Sequence, residues 1–461
     1  MHPEETRPVG PPPNTPSAHA TGRGYPGAFK QRVREQNEWV AAHPPPGPFR
    51  PEFWRSPIRG PWLTSVLGAV LLAGLPVMFL TGFLSFLAYN PWLEGNGGQQ
   101  GSGVLAFVPF HWPTSPSWGY RVTQGTHVIL GAMLVPVILA KLWSVIPKLF
   151  VWPPASCPAH ALERTTLLLL VGGAGFTFVT GLLNAQYWYR FPGSFYRLHF
   201  YGSWVFLGGL IAHVAVKFPV MRKALRERRI RDELRVDLAH TEPEPYEPDG
   251  LVSPAPAPAT ISRRGALGIV LAGSLGIFVL TAGQSAPGPF RRVALLAPRG
   301  GFGQNGPNDF PVNRTAEQAG ITEELAGAAW RLEVLGGSKP LTFTRADLLA
   351  LPLHTVTLAI ACVEGWSSGN QRWEGVRLRD LADRVGMRDA RAVFVDSLEE
   401  FGGFASARLA DNQFRHPDSV LALRVNGVDL SPDHGFPARI MVPNNPGVHN
   451  TKWVRTLTFE A

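Results

Sequence analysis

Residues 62–89 read WLTSVLGAVLLAGLPVMFLTGFLSFLAY, and not one of them is charged. A helix needs about 20 consecutive apolar residues to cross the hydrocarbon core of a bilayer, so this stretch is predicted to span a membrane. Three more apolar stretches follow at 124–150, 164–186 and 196–220, and the run LLLLVGGAGFTFVTGLLNA at 167–185 is again free of charge. A soluble helical bundle is the competing reading, but it needs a polar face on each helix, and these two runs have none. A charged fraction of 17% over 461 residues agrees with a membrane-bound chain that has room for two or three domains.

The flanks set the expected orientation. Arg50, Arg55 and Arg59 precede the first span, Lys141, Lys148 and Arg164 border the next inner loop, and RKALRERRIR follows the fourth span at 222–231. Basic residues collect on the cytoplasmic side, so the N-terminus is predicted to be cytoplasmic. The loop at 89–122 and the aromatic YWYRFPGSFY at 187–196 then face outward, with Arg190 and Arg197 as minor exceptions. The net charge of +9 is accounted for by these flanks, and no nucleic-acid motif accompanies it. Neither a zinc pattern, a P-loop nor a Rossmann glycine fingerprint occurs.

Composition divides the rest. Residues 1–58, with PPPNTPSAHATGRG and AAHPPPGPF, are predicted to form a mostly disordered cytoplasmic tail. Residues 59–225 are the four-helix membrane domain, and 226–261, ending in HTEPEPYEPDGLVSPAPAPAT, read as a cytoplasmic linker. Next, SRRGALGIVLAGSLGIFVLTAGQSA sets Arg263 and Arg264 ahead of an apolar run, the pattern of a twin-arginine export signal or of a fifth anchoring helix over 262–285. Both readings put residues 286–461 on the extracytoplasmic side of the cell membrane. There, short β-rich runs such as WRLEVLG, HTVTLAIACV and WVRTLTFE alternate with turns, so the segment is an α+β domain. TRADLLALP at 344–352 carries a helix-start pattern at Thr344, and VRLRDLADRVG at 376–386 ends on a glycine cap. The fold class is thus multidomain: an all-α transmembrane bundle of four helices plus a fifth, then an α+β domain. The two cysteines, Cys157 and Cys362, fall on opposite sides of the membrane, which argues against a disulfide between them.

Histidines carry the chemistry of the bundle. His127 and His199 lie near the outer starts of the second and fourth spans, and His213 follows His199 by fourteen residues, on nearly the same helix face about 21 Å deeper. Ionisable groups inside a bilayer are costly and usually functional, and imidazole is a common haem ligand; a histidine bonded to a neighbouring helix is the plainer alternative for any one alone. With this pattern the bundle resembles the four-helix cytochrome b subunits of respiratory formate dehydrogenases and hydrogenases over about 55–225. The resemblance implies a b-type haem held by His127 and His199. In that family a second haem uses a first-helix histidine, which residues 61–90 lack. His213 then stays open as a vestige, a quinone-site residue or a ligand to a differently paired second haem.

Cys362 ends an apolar strand and precedes a loop with Glu364, Trp366 and Arg372. A lone buried cysteine is usually a small apolar residue, although a thiolate at a strand end is also a metal ligand. The run ACVEGWS followed by W-x-G-V-x-L-x-D-L, with HGFPARIMVPNNPGVHNTKWV at 434–454, resembles the sulfite-oxidase-fold molybdopterin enzymes, and is especially similar to the periplasmic protein-methionine-sulfoxide reductase catalytic subunit. The resemblance covers 300–461 and implies that Cys362 ligates molybdenum. It also implies that His434, Arg439, Asn450 and Lys452 contact the pterin or its phosphate, and, more weakly, that Ser397, Asn313 and Arg314 do. Arg372 is assigned to steering an oxo-substrate and Glu364 to proton relay, with a surface salt bridge as the alternative for both.

The expected function is electron transfer between quinone or quinol, haem b and the molybdenum centre. The centre acts by oxygen-atom transfer, as a reductase, on a small oxo-compound or a protein-bound sulfoxide. A sulfite-type dehydrogenase running oxidatively, or a cofactor-free membrane anchor or assembly protein, are the alternatives.

Overall fold

Proline at a helix's first turn costs no hydrogen bond, because that N–H has no partner in any case. Helix α2 (Pro61–Tyr89) begins this way. It follows helix α1 (Pro26–Ala42) and precedes α3 (Gly119–Leu149), α4 (Pro158–Asn184) and α5 (Phe195–Glu227). After the short α6 (Ile230–Glu233) comes α7 (Arg263–Ala282), capped by the Ser262 hydroxyl, which accepts from the Gly265 N–H. Helices α2 to α5 and α7 are all long and apolar enough to cross a membrane. The computed structural model describes residues 26–90, 96, 110–154, 157–185, 195–246, 251–285, 288–297, 299 and 306–461. The first 25 residues of the expected tail, most of the 89–122 loop and the 186–194 loop lie outside the described residues.

Small residues let the helices approach closely. Gly131 on α3 has room only for the Met78 methyl of α2, and the Ser274 hydroxyl of α7 donates to the Met133 carbonyl of α3 at 2.8 Å. Pairs α2/α3 and α4/α5 form the two halves of the bundle, and α7 lies along α3.

Two expectations are corrected at the end of the bundle that carries residues 26–59. Part of the expected disordered tail is helix α1, and Phe49 and Trp54 pack on Phe150, while Trp152 donates to the Val40 carbonyl. A few aromatic residues among many prolines supply the docking surface that average composition conceals. The expected linker is likewise no open spacer. Arg263 of α7 is 3% exposed and is held by Glu233 and Glu244, each at 3.0 Å, and Arg228 also reaches Glu244 at 2.7 Å.

The C-terminal domain holds β1 (Leu332–Leu335), β2 (Leu341–Phe343), β3 (His354–Ala361), β4 (Ser367–Arg377), β5 (Ala392–Ser397), β6 (Ser406–Ala410), β7 (Val420–Val425), β8 (Val428–Asp429), β9 (Arg439–Met441) and β10 (Val454–Glu460). One sheet runs β2-β1-β10-β5-β6, with β1 and β10 parallel; the other runs β3-β4-β7-β8, with β9 on β7. Alternating residues of both sheets, among them Val334, Val395, Leu457, Leu421 and Ile440, share one core with Leu378 and Leu381 of helix α8 (Leu378–Arg384). The Thr344 capping box forms as expected, reciprocally with Asp347, and Gly386 ends the later helix at φ +77°.

The domain sits on the end of the bundle where α2 finishes and α3 begins. Trp112 donates to the Asn444 carbonyl at 2.9 Å, Asn444 accepts from the Tyr120 N–H at 2.5 Å, and Tyr89, Tyr120 and Ala361 share a small apolar cluster. The far end of α7 joins the same seam: Arg121 donates to the Ser285 carbonyl at 2.6 Å, and the Ser285 hydroxyl donates to the Gly365 carbonyl at 2.5 Å.

Candidate functional site

Strand β3 delivers Cys362 into a tight turn. The Cys362 N–H donates to the Trp366 carbonyl at 2.9 Å and the Gly365 N–H donates back to the Cys362 carbonyl at 3.0 Å. Gly365 adopts φ +93°, and a Cβ there would collide with Val128 of α3. Only glycine serves both demands. The cysteine is buried, and burial followed by the nearby Glu364 charge pushes its thiol well above the ordinary range. A bound metal reverses that balance, since a coordinating thiol is deprotonated outright.

Around this turn, the segment 439–451 leaves buried polar atoms without partners among the described residues: Arg439 Nε, Asn445 Nδ2, His449 Nε2, Asn450 Nδ2 and Thr451 Oγ1. Buried polar groups are normally paired, so several unmet groups in one stretch beside Cys362 mark a place for a polar ligand. Two cations face it. Arg439 is 2% exposed and donates only to the carbonyls of His434 and Asn450, each at 3.0 Å. Lys452 donates to the carbonyls of Arg314 and Asp433 and to Asn313 Oδ1. Burial lowers Arg439 to about 9 and Lys452 to about 7. Buried cations without a touching carboxylate suit an anionic phosphate, so this donor set fits a molybdopterin.

The other expected contacts divide. Lys452 reaches Asn313 Oδ1 at 3.3 Å and Arg439 reaches the Asn450 carbonyl at 3.0 Å, so these four expected residues lie in two bonded pairs. His434 is stacked on Phe310 with ring centroids 3.6 Å apart, and its nitrogens bond Asn308 Oδ1 and the Pro311 carbonyl; burial lowers it to about 3. Its imidazole therefore pins the 308–311 segment against the site. The Ser397 hydroxyl donates to the Lys452 carbonyl at 2.8 Å and so holds that strand, while Arg314 turns away to Glu399.

Arg372 is a correction. It lies exposed on β4, paired with Thr357, whereas Ala361 beside Cys362 pairs with Ser367. Five residues of strand, at about 3.3 Å each, carry it away from the cysteine. Glu364 is also recast: Arg299 grips both its oxygens at 2.5 and 3.1 Å, and Trp366 Nε1 donates at 2.9 Å. Glu364 is thus ion-paired, the alternative reading of it, although the pair is largely buried at 10% and 17% exposure rather than on the surface. Arg299 had no local signal, being 65 residues away in sequence. His449 was also missed, although it adjoins Asn450. Its imidazole hydrogen-bonds the backbone of Tyr89 at the end of α2, and burial lowers it to about 4.

Beneath the cysteine turn lies the histidine pair. His127 of α3 and His199 of α5 stand with ring centroids 6.1 Å apart and planes at 85°. Each uses Nδ1 to donate to a carbonyl, Met78 at 3.1 Å and Thr177 at 2.8 Å, which leaves Nε2 as the lone-pair nitrogen. The surroundings repeat: Thr81-Gly82 on α2 and Thr180-Gly181 on α4 meet His127 and His199 respectively, and a Cβ at either glycine would sit within 3 Å of the ring. His213 does not join this pair. The charged groups that act on it are Lys141 and Lys217.

Residues 319–461 match the family described as the oxidoreductase molybdopterin binding domain. The chain is 32% identical over 157 residues to the uncharacterized oxidoreductase YuiH of Bacillus subtilis (strain 168), covering 34% of this chain and 76% of that one. It is 34% identical over 151 residues to the mitochondrial sulfite oxidase of Drosophila melanogaster, but there covers 27% of this chain and only 26% of the relative. The solved sulfane dehydrogenase SoxCD from Paracoccus pantotrophus aligns at 27% identity over 30% of this chain and 39% of that one, with a TM-score of 0.27. Matched across three quarters of a relative, with a buried cysteine turn and an unmet donor set beside it, the chain belongs to the molybdopterin oxidoreductases of the sulfite oxidase family and is a molybdenum-dependent enzyme.

Proposed function

We propose that this enzyme exchanges electrons between a membrane quinone pool and its molybdenum centre through one b-type haem held by His127 and His199. The observation that carries the reading is the histidine pair. A centroid separation of 6.1 Å is what two metal–nitrogen bonds of about 2 Å and two ring radii span. The two carbonyl bonds fix the tautomer that ligation requires.

The pair also lies directly under the cysteine turn: Gln124, one helical turn before His127, donates to the Val363 carbonyl, and Val128, just after it, packs under Gly365. The basic flanks of the apolar helices favour an orientation with this end, and the whole C-terminal domain, outside the cell membrane. Molybdopterin, when bound, supplies oxygen-atom transfer coupled to two-electron redox change. Cys362 would ligate the metal, Arg439 and Lys452 would neutralise the phosphate, and Asn313, His449 and Asn450 would face the cofactor's polar edges.

The direction is proposed to be reductive, on a small or protein-bound oxo-compound; the resemblance to a relative named nitrate reductase, 35% identical over 171 residues, favours it. The likeness to sulfite oxidases favours oxidation of a sulfur oxyanion as the second reading. The test is a reduced-minus-oxidised spectrum of the full chain. A b-type signal is expected in the wild type and lost in His199→Ala, and anaerobic addition of a sulfoxide to the reduced protein should reoxidise the haem. Haem reduction by sulfite instead would establish the oxidative direction, and an unchanged spectrum in His199→Ala would refute the ligand assignment.

A further inference from the structure

The α2/α3 contact that holds His127 is repeated one level away from the domain. His127 lies beside Gly82 and donates to the Met78 carbonyl. Fourteen residues later on α3, Lys141 lies beside Gly68 and donates to the Thr64 carbonyl at 2.6 Å. Gly68 and Thr64 each precede Gly82 and Met78 by fourteen residues on antiparallel α2, so the backbone frame recurs about 21 Å along the helices. On α5 the same step leads from His199 to His213. The α2/α3 half of the second level thus repeats that of the first, with an ammonium where the first presents an imidazole; the α4 half does not repeat, because Leu167 stands fourteen residues before Gly181.

An ammonium has three donors and no lone pair, so it fills this slot without being able to ligate iron. Its described hydrogen bonds use one donor, and among the described residues no carboxylate lies within ion-pair distance of it. His213 is half-buried, and Val216 and Lys217, one turn on along the same side of α5, are exposed. The level is therefore reachable sideways from the lipid phase. Buried ionisable groups within a span mark substrate or ion sites by default.

We propose that Lys141 and His213 form a binding site for the oxygen-bearing head group of a quinone or quinol, in place of a second haem. The proposal rests on the reading of the bundle as the electron path to molybdenum. Lys141 donates to one ring oxygen, and His213 stands across the site for the other. Lateral entry between α3 and α5 admits a ligand whose tail stays in lipid.

The test uses the full chain in nanodiscs, with a short-chain naphthoquinol as donor and dithionite as a control reductant. The extracted haem should amount to one per chain in the wild type and in Lys141→Met. Quinol-driven haem reduction in Lys141→Met should slow about tenfold or more, as loss of a charge-assisted hydrogen bond implies, with dithionite reduction unchanged and partial recovery in Lys141→Arg. Should Lys141→Met fail to keep its haem, His213→Gln provides the same comparison. Two haems per wild-type chain, or quinol reduction at the wild-type rate in the haem-replete variants, overturns the proposal alone. A wild-type chain with molybdenum but no haem refutes the reading of the bundle, and the quinol site falls with it.

Discussion

Replacing both Glu233 and Glu244 by Ala tests the clamp at the start of α7. Arg263 is 3% exposed and its two carboxylate partners 8% each, so this is a buried ion cluster; Arg228, at 36%, is the exposed member and adds little. Removing the acids leaves the Arg263 guanidinium buried with only the Glu242 carbonyl, and stranding one partner of a buried pair costs about 3–5 kcal/mol. Taking the lower figure, because one carbonyl remains, local opening of residues 228–246 becomes on the order of a hundredfold more frequent. Hydrogen–deuterium exchange or limited proteolysis of that segment reads this directly. Neither glutamate belongs to the SRRGAL run, so the substitutions leave the sequence of that segment intact. Glu227→Ala, which removes only an exposed pair with Lys223, is the control and should leave protection unchanged. Wild-type protection of 228–246 in the double variant would refute the argument that these charges hold the segment closed.

Cys362→Ala should abolish bound molybdenum by metal analysis while leaving the b-type spectrum intact; molybdenum retained at the wild-type level would remove the thiolate ligand from the account. Gln124→Leu deletes the link to the Val363 carbonyl, at a cost of about 1–3 kcal/mol. Haem and molybdenum contents should persist while substrate-driven reoxidation of the haem slows, and an unaltered rate would mean that electrons cross elsewhere. Lys452 falls from 10.5 to about 7 in the cofactor-free fold, so the folded state binds fewer protons than the unfolded state between those values. The stability of the cofactor-free protein should therefore rise with pH across that window, and Lys452→Met should flatten the slope in denaturant titrations at several pH values.

The long apolar helices were legible because the length and polarity of each segment can be read by itself, and 62–89 matches helix Pro61–Tyr89 almost end to end. That His127 and His199 lie at one level was legible for the same reason, since depth follows from position along a helix. Side-chain direction on the second sheet was not: Arg372 is near Cys362 in sequence, but an eleven-residue strand carries it away. Long-range pairs were also hidden, because Arg299 finds Glu364, and Arg263 finds Glu233, only after distant segments meet. Tail and linker were misjudged because average composition overlooks a few aromatic or acidic anchors placed against complementary surface.

The seam between domain and bundle has a kinetic consequence. It is closed by Trp112 and Tyr120 on Asn444, by Gln124 on Val363, by Ser285 on Gly365, and by Val128 filling the space that a side chain at position 365 would need. Redox partners joined by a tether must diffuse together on each cycle, and their turnover slows in a thick medium. On the proposed electron path the two centres would be set against each other when the chain folds, so internal exchange should proceed at the same speed in dilute buffer and in concentrated glycerol.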